Sequence, residues 1–155
     1  MDNLRFGILT ISDRSARGER LDASGPALEK QVHSRGWTVV RSAIIPDELH
    51  LIQDTLVSWA DSGEVDVILT TGGTGFSPRD VTPEATRAIL TREAPGLAEA
   101  MRSASLKVTP HGMLSRAVTG IRGQVLILNL TGSPKAALEN LEFVLPVLTH
   151  AVQLL

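Results

Sequence analysis

Residues 65–75, VDVILTTGGTG, join a short apolar segment to a glycine-rich turn. The segment 65–69 predicts a buried strand, because its β-branched and aliphatic side chains suit a pleated sheet. Comparable apolar segments stand at residues 4–12, 37–45 and 125–130. Strands that are apolar on both faces are typical of a parallel sheet covered on both sides. This pattern therefore sets the fold class, and helices are expected between the strands.

Helix patterns do alternate with the strands. A stripe of apolar side chains at three- and four-residue spacing, beginning at Leu49 and ending at Trp59, predicts a helix that Asp47 can cap. Proline in a first helical turn marks three more starts. These starts are Ser24-Gly25-Pro26, Thr82-Pro83 and Ser133-Pro134, with an interruption at Pro95-Gly96. The prediction is an α/β fold of three layers: a mostly parallel, Rossmann-like sheet with helices on both faces.

The segment 107–122 has the weakest pattern, and it fits either a short hairpin or the rim of a site. No linker, repeat or low-complexity stretch divides the chain, so residues 1–155 are predicted to be a single domain. The predicted final helix is followed by an almost uncharged tail, residues 144–155. Such a segment either packs across its own sheet or becomes buried in an oligomer.

Composition excludes several classes of function. The net charge of −2 offers no field that would attract nucleic acid or an anionic membrane. With three Phe, two Trp and no Tyr, a base-stacking surface is not expected. The absence of cysteine excludes disulfides and thiolate chemistry. Met1 and Asp2 do not begin a secretory leader, and no apolar run is long enough to span a membrane. A cytoplasmic protein is expected.

Polar side chains and glycines follow every predicted strand. Because the carboxyl ends of parallel strands share one edge of the sheet, these groups are expected to converge there, where open α/β sheets bind ligands. The candidates are Ser12, Asp13, Asp47, Gly72, Gly73, Thr74, Gly75, Arg79, Asp80, Asn129, Gly132, Ser133, Pro134 and Lys135.

Two glycine turns at this edge are candidate anion sites. The turn Gly72-Gly73-Thr74-Gly75 lets a ligand approach the backbone N–H groups, and Thr74 supplies a hydroxyl. The start of the last helix, at Gly132 and Ser133, offers free N–H groups and a favourable dipole. Each has a structural alternative: a tight turn without a ligand for the first, and a good helix cap for the second. Neither matches the P-loop or the dinucleotide fingerprint.

Three aspartates are expected beside these turns. Asp13, Asp47 and Asp80 would repel phosphates unless a cation lay between them, and Mg²⁺ takes one or two carboxylates together with substrate phosphates. The alternative is a helix cap or turn former, for which Asp47 is the strongest case. The four histidines show no metal-ligand spacing, and no Ser-His-Asp arrangement can be argued.

Five blocks, in order, resemble the molybdopterin adenylyltransferases, the Mog- and MoaB-like group that includes the G domain of gephyrin. The central block is TTGGTGFSPRDVTPEAT, residues 70–86. The others are ILTISDRSARGERLDASG at 8–25, PGLAEAMR at 95–102, MLSRAVTGIR at 113–122 and LILNLTGSPKAALENLE at 126–142. A Gly-Gly-Thr-Gly alone is weak evidence, but five ordered blocks over nearly the whole chain are specific.

The resemblance implies a molybdopterin-binding fold and a reaction. The terminal phosphate of molybdopterin would attack the α-phosphate of ATP in a Mg²⁺-dependent step that gives adenylylated molybdopterin and pyrophosphate. The product would pass to a metal-inserting molybdenumtransferase of the MoeA-like type. Family members are typically trimers, so a homotrimer or a dimer of trimers is expected, with each active site largely within one subunit.

The resemblance also implies roles for individual residues. Asp47 and Asp80 match acidic positions tied to pterin binding and catalysis, and these two are predicted to hold the Mg²⁺. Asp13 belongs to the family's Ser-Asp block, and Ser115 and Arg116 match a Ser-Arg pair at the rim of the site. The residues that match the two glycine turns are Gly72, Gly73, Thr74, Gly75, Gly132, Ser133 and Pro134.

Two other functions share the predicted fold. One is a nucleotide pyrophosphatase-like domain of the CinA type, although those chains are usually longer than 155 residues. The other is a molybdopterin-binding carrier or scaffold without catalysis, for which fused partner regions would be expected.

Overall fold

The computed structural model describes residues 3–155. Its elements follow the predicted alternation of strands and helices, and they are β1 (Arg5–Ile11), α1 (Asp13–Ala16), α2 (Ser24–Ser34), β2 (Thr38–Ile45), α3 (Leu49–Ala60), β3 (Val67–Thr71), α4 (Thr82–Ile89), β4 (Arg92–Glu93), α5 (Pro95–Leu106), a 3-10 helix (Pro110–Leu114), β5 (Thr119–Arg122), β6 (Val125–Leu130) and α6 (Pro134–Gln153).

Within these residues the strands form one six-stranded sheet in the order β2-β1-β3-β6-β5-β4. The four strands β2, β1, β3 and β6 run parallel, while β5 and β4 are antiparallel to their neighbours. The carboxyl ends of β1, β3 and β6 therefore meet at one edge, as the sequence predicted. The mostly parallel sheet is confirmed.

Helices cover both faces of the sheet. On one face, α2 and α6 bury Leu28 and Leu141 against the sheet, and α5 joins the same core. On the other face, α3 and α4 bury Leu56 and Ala85 in a second core. The three-layer arrangement is confirmed, and the central strands β3 and β6 have no exposed residue because both their faces are covered.

Three local predictions need correction. The helix that begins at Thr82 ends at Ile89 and is followed by β4, so Pro95 starts a new helix rather than interrupting one. Asp47 does not cap α3, whose N-cap is Glu48 without a side-chain cap bond. The carboxylate of Asp47 is held elsewhere, as described below. The segment 107–122 contains both predicted features, a hairpin strand β5 and a site-lining 3-10 helix.

The apolar segment 144–155 lies largely within α6. Its inner side chains Val144, Leu145 and Leu148 are buried in the chain's own core, so this half packs across its own sheet. The outer side chains Val147 and Leu154 remain exposed. The predicted tail is therefore mostly the second half of α6, and its inner face packs across the chain's own sheet. Burial of the outer face in an oligomer stays a prediction.

Across residues 3–155, none of the helices combines the length and the apolar character that crossing a membrane requires. The expectation that no secretory leader is present was based on Met1 and Asp2, which lie outside the described residues.

An ion pair ties the amino end of β1 to β3, and it gives a prediction about pH. Asp66 accepts bonds from the backbone N, Nε and Nη2 of Arg5 at 2.8, 3.1 and 2.9 Å. Burial raises the pKa of Asp66, but the Arg5 bonds outweigh burial and hold it below 3.8. This stabilisation is present above pH 3.8 and is lost as pH falls through the lowered folded-state pKa.

We expect Asp66→Asn to lower the free energy of unfolding at neutral pH by about 1 kcal/mol, because solvent partly screens the pair. Urea titrations at neutral pH and well below pH 3.8 measure the effect. An equal difference between variant and wild type at both pH values would contradict the ion-pair explanation.

Candidate active site at the carboxyl edge of the sheet

The two glycine turns lie against each other at the carboxyl ends of β3 and β6. A Cβ atom on Gly132 would lie 3.3 Å from the Cα atom of Gly72, so the two backbones touch. The N–H of Gly72 donates to the carbonyl of Leu130 at 3.2 Å, and Thr71 Oγ1 donates to the carbonyl of Thr131 at 2.7 Å. The Ser24 hydroxyl holds the carbonyl of Gly132 at 2.7 Å from the side of α2.

The first turn requires glycine at two positions. Gly72 has φ +103° and Gly73 has φ +68°, both in the region that other residues avoid. A Cβ on Gly72 would collide with the carbonyl oxygen of Ile11, and one on Gly73 would collide with Thr82 Oγ1. The N–H groups of Gly73, Thr74 and Gly75 donate to no acceptor in residues 3–155. They are free to bind an anion.

Two cavities open on either side of this contact between turns. The first, of about 510 Å³, runs along the start of α6 and is called the α6 cavity. The predicted residues that line it are Gly73, Thr74, Gly75, Asp80, Ser115, Gly132, Ser133 and Lys135. The second, of about 490 Å³, lies at the start of α2 and is called the α2 cavity. Its predicted residues are Ser12, Gly72, Gly132, Ser133 and Pro134. Gly132 and Ser133 belong to both cavities.

Asp13 and Asp47 bind each other's backbone. The N–H of Asp13 donates to Asp47 Oδ2 at 2.9 Å, and the N–H of Asp47 donates to Asp13 Oδ1 at 3.0 Å. This reciprocal pair explains why Asp47 is not a helix cap: its carboxylate turns back towards β1. The other oxygen, Asp47 Oδ1, is buried without a hydrogen-bond partner in the described chain. It would lie 2.9 Å from a Cβ on Gly73, which puts it beneath the first glycine turn.

The electrostatic environments of these two carboxylates differ. Burial raises the pKa of Asp47; the negative charges of Asp13 and Asp80 push it in the same direction, and the Asp13 N–H opposes it. Hydrogen bonds from Arg79 lower the pKa of Asp13. Both bonds from Arg79 to Asp13 measure 3.0 Å. Asp13 is therefore paired within the protein, whereas Asp47 forms no ion pair in residues 3–155 and is reached only by the more distant charge of Arg79.

Asp80 is anchored differently. One of its oxygens accepts the N–H of Ser77 at 3.0 Å, and this Oδ2 would lie 3.0 Å from a Cβ on Gly75. Its side chain lines the α6 cavity. Asp47 therefore approaches the first glycine turn from beneath, and Asp80 approaches it from the side of the α6 cavity.

Of the three aspartates expected beside the glycine turns, two are in a position to bind Mg²⁺. Residues 3–155 contain no cluster of three carboxylate or histidine side chains that could hold a metal. Asp13 is not a free ligand, because it pairs with Arg79. Mg²⁺ can be shared by two carboxylates and the phosphates of a substrate. Asp47, with its unpartnered Oδ1, and Asp80, which lines the α6 cavity, fit this pattern.

Like Asp13 and Asp47, three other predicted site residues line neither cavity. Arg79 is exposed and pairs with Asp13 and Glu48. Asn129 is fully buried: it bonds Thr70 and Thr86 at 3.0 Å each and accepts the N–H of Val118 at 3.1 Å. Its amide therefore ties β3, α4 and the approach to β5 together, and it is not available to a ligand.

Arg116, the third of these residues, clamps the glycine loop from outside. Its guanidinium donates to the carbonyls of Gly75 and Asp80 at 2.8 and 2.7 Å, and to Glu84 at 2.6 Å. Its own N–H donates to the carbonyl of Thr74 at 2.8 Å. Arg116 fixes the loop that carries Asp80 and lines neither cavity, so its predicted contact with a ligand stays a prediction.

The cavities also contain residues that motif reasoning did not select. Arg20 and Asp22 line the α2 cavity, while His111 and Glu139 line the α6 cavity. Helical spacing was a usable signal for Glu139, because Ser133, Ala136 and Glu139 repeat every three residues along α6. The loop containing Arg20 has no periodicity that would have marked it.

Removing the clamp tests the role of Arg116. We expect Arg116→Gln to lower turnover at least tenfold, because small misplacement of reacting groups costs up to about 100-fold. Arg122→Gln is the matched control: Arg122 also binds a carbonyl and a carboxylate, those of Ile89 and Asp61, but at the opposite end of β5. Both variants are expected to lose stability, measured by urea unfolding. Equal turnover in the two variants would contradict the positioning role.

The fold and the paired turns define a class: a Rossmann-like α/β protein with ligand cavities beyond the carboxyl ends of its strands. Residues 7–150 match the family described as "Probable molybdopterin binding domain", and the chain belongs to that family.

Individual relatives agree with this assignment. The molybdopterin adenylyltransferase of Escherichia coli K12 is 47% identical over 144 residues, which are 92% of this chain and 74% of that protein. The molybdenum cofactor synthesis protein cinnamon of Drosophila melanogaster is 47% identical over 156 residues, 100% of this chain but 26% of that protein. A crystal structure of the molybdopterin biosynthesis enzyme MoaB from Thermus thermophilus superposes with a TM-score of 0.92 at 53% identity, covering 97% of this chain and 95% of that one.

The chain spans only 26% of cinnamon and 22% of the gephyrin of Dictyostelium discoideum. Most of each of those relatives therefore lies outside the matched region.

Proposed function

We propose that this chain is a molybdopterin adenylyltransferase of molybdenum cofactor biosynthesis. A terminal phosphate oxygen of molybdopterin bonds to the α-phosphorus of ATP, and the bond from that phosphorus to the bridging β-phosphate oxygen breaks. Adenylylated molybdopterin and pyrophosphate are released. The named adenylyltransferase relatives support this reaction.

The observation that carries the proposal is the junction of two cavities at the paired glycine turns. A reaction between two phosphates needs two bound substrates whose anionic ends meet. The α6 and α2 cavities share Gly132 and Ser133, so ligands in each would approach one another across these residues. Free N–H groups of the Gly73–Gly75 turn and the unpaired Lys135 face the α6 side.

The protein's part in such a reaction is positioning and charge neutralisation rather than covalent chemistry. The N–H groups of the first turn and the first turn of α6 hold phosphate oxygens. Asp47 and Asp80 would hold Mg²⁺. That ion supplies charge neutralisation between the phosphates of ATP and these carboxylates. Arg116 keeps the loop and Asp80 in place.

The adenylylated product needs an enzyme that inserts the metal, and a MoeA-like molybdenumtransferase is the proposed partner. The long relatives cinnamon and gephyrin carry a large further region beyond the part that matches this chain, which is consistent with linked steps. The proposed location is the cytoplasm, where ATP is available.

One assay tests the function directly. Purified protein, molybdopterin and Mg-ATP are incubated, and adenylylated molybdopterin and pyrophosphate are measured. We expect both products in equal amounts, and neither when molybdopterin is omitted. Binding of molybdopterin without pyrophosphate release would indicate a carrier or scaffold. Pyrophosphate release without the pterin would indicate a CinA-like pyrophosphatase.

The exposed face of α6 supports assembly into trimers. Phe143 and Val147 on the outer face of α6, and Leu154 just after its end, expose 53%, 48% and 71% of their surface. Closed symmetry hides such a face without open ends. We expect light scattering at micromolar concentration to give a mass three or six times 16.6 kDa. A mass of one chain would contradict assembly and leave the catalytic proposal intact.

A further inference from the structure

The second turn of α6 carries a carboxylate that none of the roles above uses. Glu139 lines the α6 cavity, as does Lys135 four residues earlier. This spacing favours an ion pair on a helix surface. Yet neither side chain forms an ion pair or hydrogen bond with any of residues 3–155. An unpaired cation and an unpaired carboxylate thus face the same cavity.

Glu139 lies towards the end of the cavity that is away from the glycine turns. Gly132, at the near end, touches Gly72 of the first glycine turn. At the far end, Ser105 Oγ of α5 donates to Asn140 Oδ1 at 2.9 Å, which brings the end of α5 beside the residue that follows Glu139. Glu139 lies seven positions after Gly132, which is roughly 10 Å at the helical rise of 1.5 Å per residue. A ligand that spans the cavity would meet anion donors at one end and a carboxylate at the other.

We propose that Glu139 recognises the pyrimidine edge of the pterin ring. A pterin presents two parallel donors there, the ring N3–H and the 2-amino group, and a carboxylate can accept both. The apolar side chains of Val108 and Leu114 line the same cavity and offer walls for a flat ring. The phosphate of the substrate then lies towards the glycine turns, about one ring system away. This inference rests on the proposed function, which supplies the pterin.

The test compares two fluorescent probes, 6-hydroxymethylpterin and 6-hydroxymethyllumazine. They differ at the pyrimidine ring: lumazine has a 2-oxo acceptor where pterin has the 2-amino donor, and its N1 carries a proton. We expect wild type to prefer the pterin by at least tenfold, since an unpaired polar group in a binding site costs that much or more. Glu139→Gln is expected to lose or reverse this preference, because its amide can accept from N3–H and donate to the 2-oxo group.

Glu99→Gln is the matched control. Glu99 is an exposed carboxylate on the neighbouring helix α5 that lines neither cavity. It is expected to keep the wild-type preference. If wild type binds both probes equally, binds neither, or if Glu139→Gln retains the preference, Glu139 is a solvated surface carboxylate and the inference fails.

Steady-state kinetics separate this inference from the proposed function. With molybdopterin and Mg-ATP, Glu139→Gln is expected to raise the KM for molybdopterin about tenfold while the KM for ATP stays unchanged. Normal constants in the variant, with product still formed, would overturn the role of Glu139 and leave the adenylyltransferase standing. Absence of product in wild type would overturn the proposed function itself.

Discussion

Asp80→Asn should reduce adenylyl transfer by on the order of 100-fold or more while the fold survives, since removing one well-placed electrostatic group commonly has this effect. The amide has nearly the same volume, and its carbonyl oxygen can still accept the N–H of Ser77, now bound to Oδ2 at 3.0 Å. The contact from Arg116 reaches the backbone carbonyl of Asp80 and is unaffected. What changes is the negative charge that faces the α6 cavity.

Turnover with molybdopterin and Mg-ATP measures the loss, and thermal unfolding checks the fold. Asp54→Asn is a suitable control, because Asp54 is exposed on α3 and lines neither cavity. Near-normal turnover of Asp80→Asn at an unchanged melting temperature would remove Asp80 from the mechanism. A large fall in melting temperature would instead assign Asp80 to the structure of the loop.

Gly72→Ala should destabilise the protein by roughly 3 kcal/mol or more, through backbone strain and steric overlap together. Gly72 adopts φ +103°, where an L-residue is strained, and its new methyl would collide with the carbonyl oxygen of Ile11. That oxygen belongs to the last residue of β1, which lies between β2 and β3 and is paired with Ile45, so moving it aside disturbs the pairing of β1. Separation of β1 from β3 would also disturb the contact between the two glycine turns.

The control isolates strain from overlap. Gly36 has φ +77° just after α2, and a Cβ there would meet nothing within 4 Å. We expect Gly36→Ala to cost about 1 kcal/mol, the strain of a left-handed residue alone. Urea unfolding of both variants gives the comparison. Similar losses at the two positions would show that the overlap with Ile11 is relieved without cost.

Strand and helix positions were largely predictable because burial on both sheet faces leaves long apolar segments. The strand at Val125–Leu130 has the predicted bounds, and the stripe of α3 is buried as its spacing indicated. The missed strand β4 has only two residues, Arg92 and Glu93, both exposed. A segment of two residues has no periodicity, and it is a strand only because it pairs with β5.

The candidate site divides in the same way. Glycine turns after strands could be recognised locally, since a need for positive φ leaves glycine in the sequence, and both turns line the cavities. The roles of the polar side chains could not be read locally. Asn129 and Arg116 were both predicted as site residues. Asn129 is buried and bonds Thr70 inside the sheet, whereas Arg116 donates to the carbonyl of Gly75 and holds the loop in place.

The sequence by itself determined the fold class, the strands that carry the site, and the turns where an anion can reach the backbone, because these depend on side-chain hydrophobicity and backbone conformation of neighbouring residues. Only the tertiary structure decided which charges are free. Asp13 is neutralised by Arg79, 66 residues away, while Asp47 keeps an unpartnered oxygen beneath Gly73. Pairing between charges depends on distances across the fold, which no local pattern encodes.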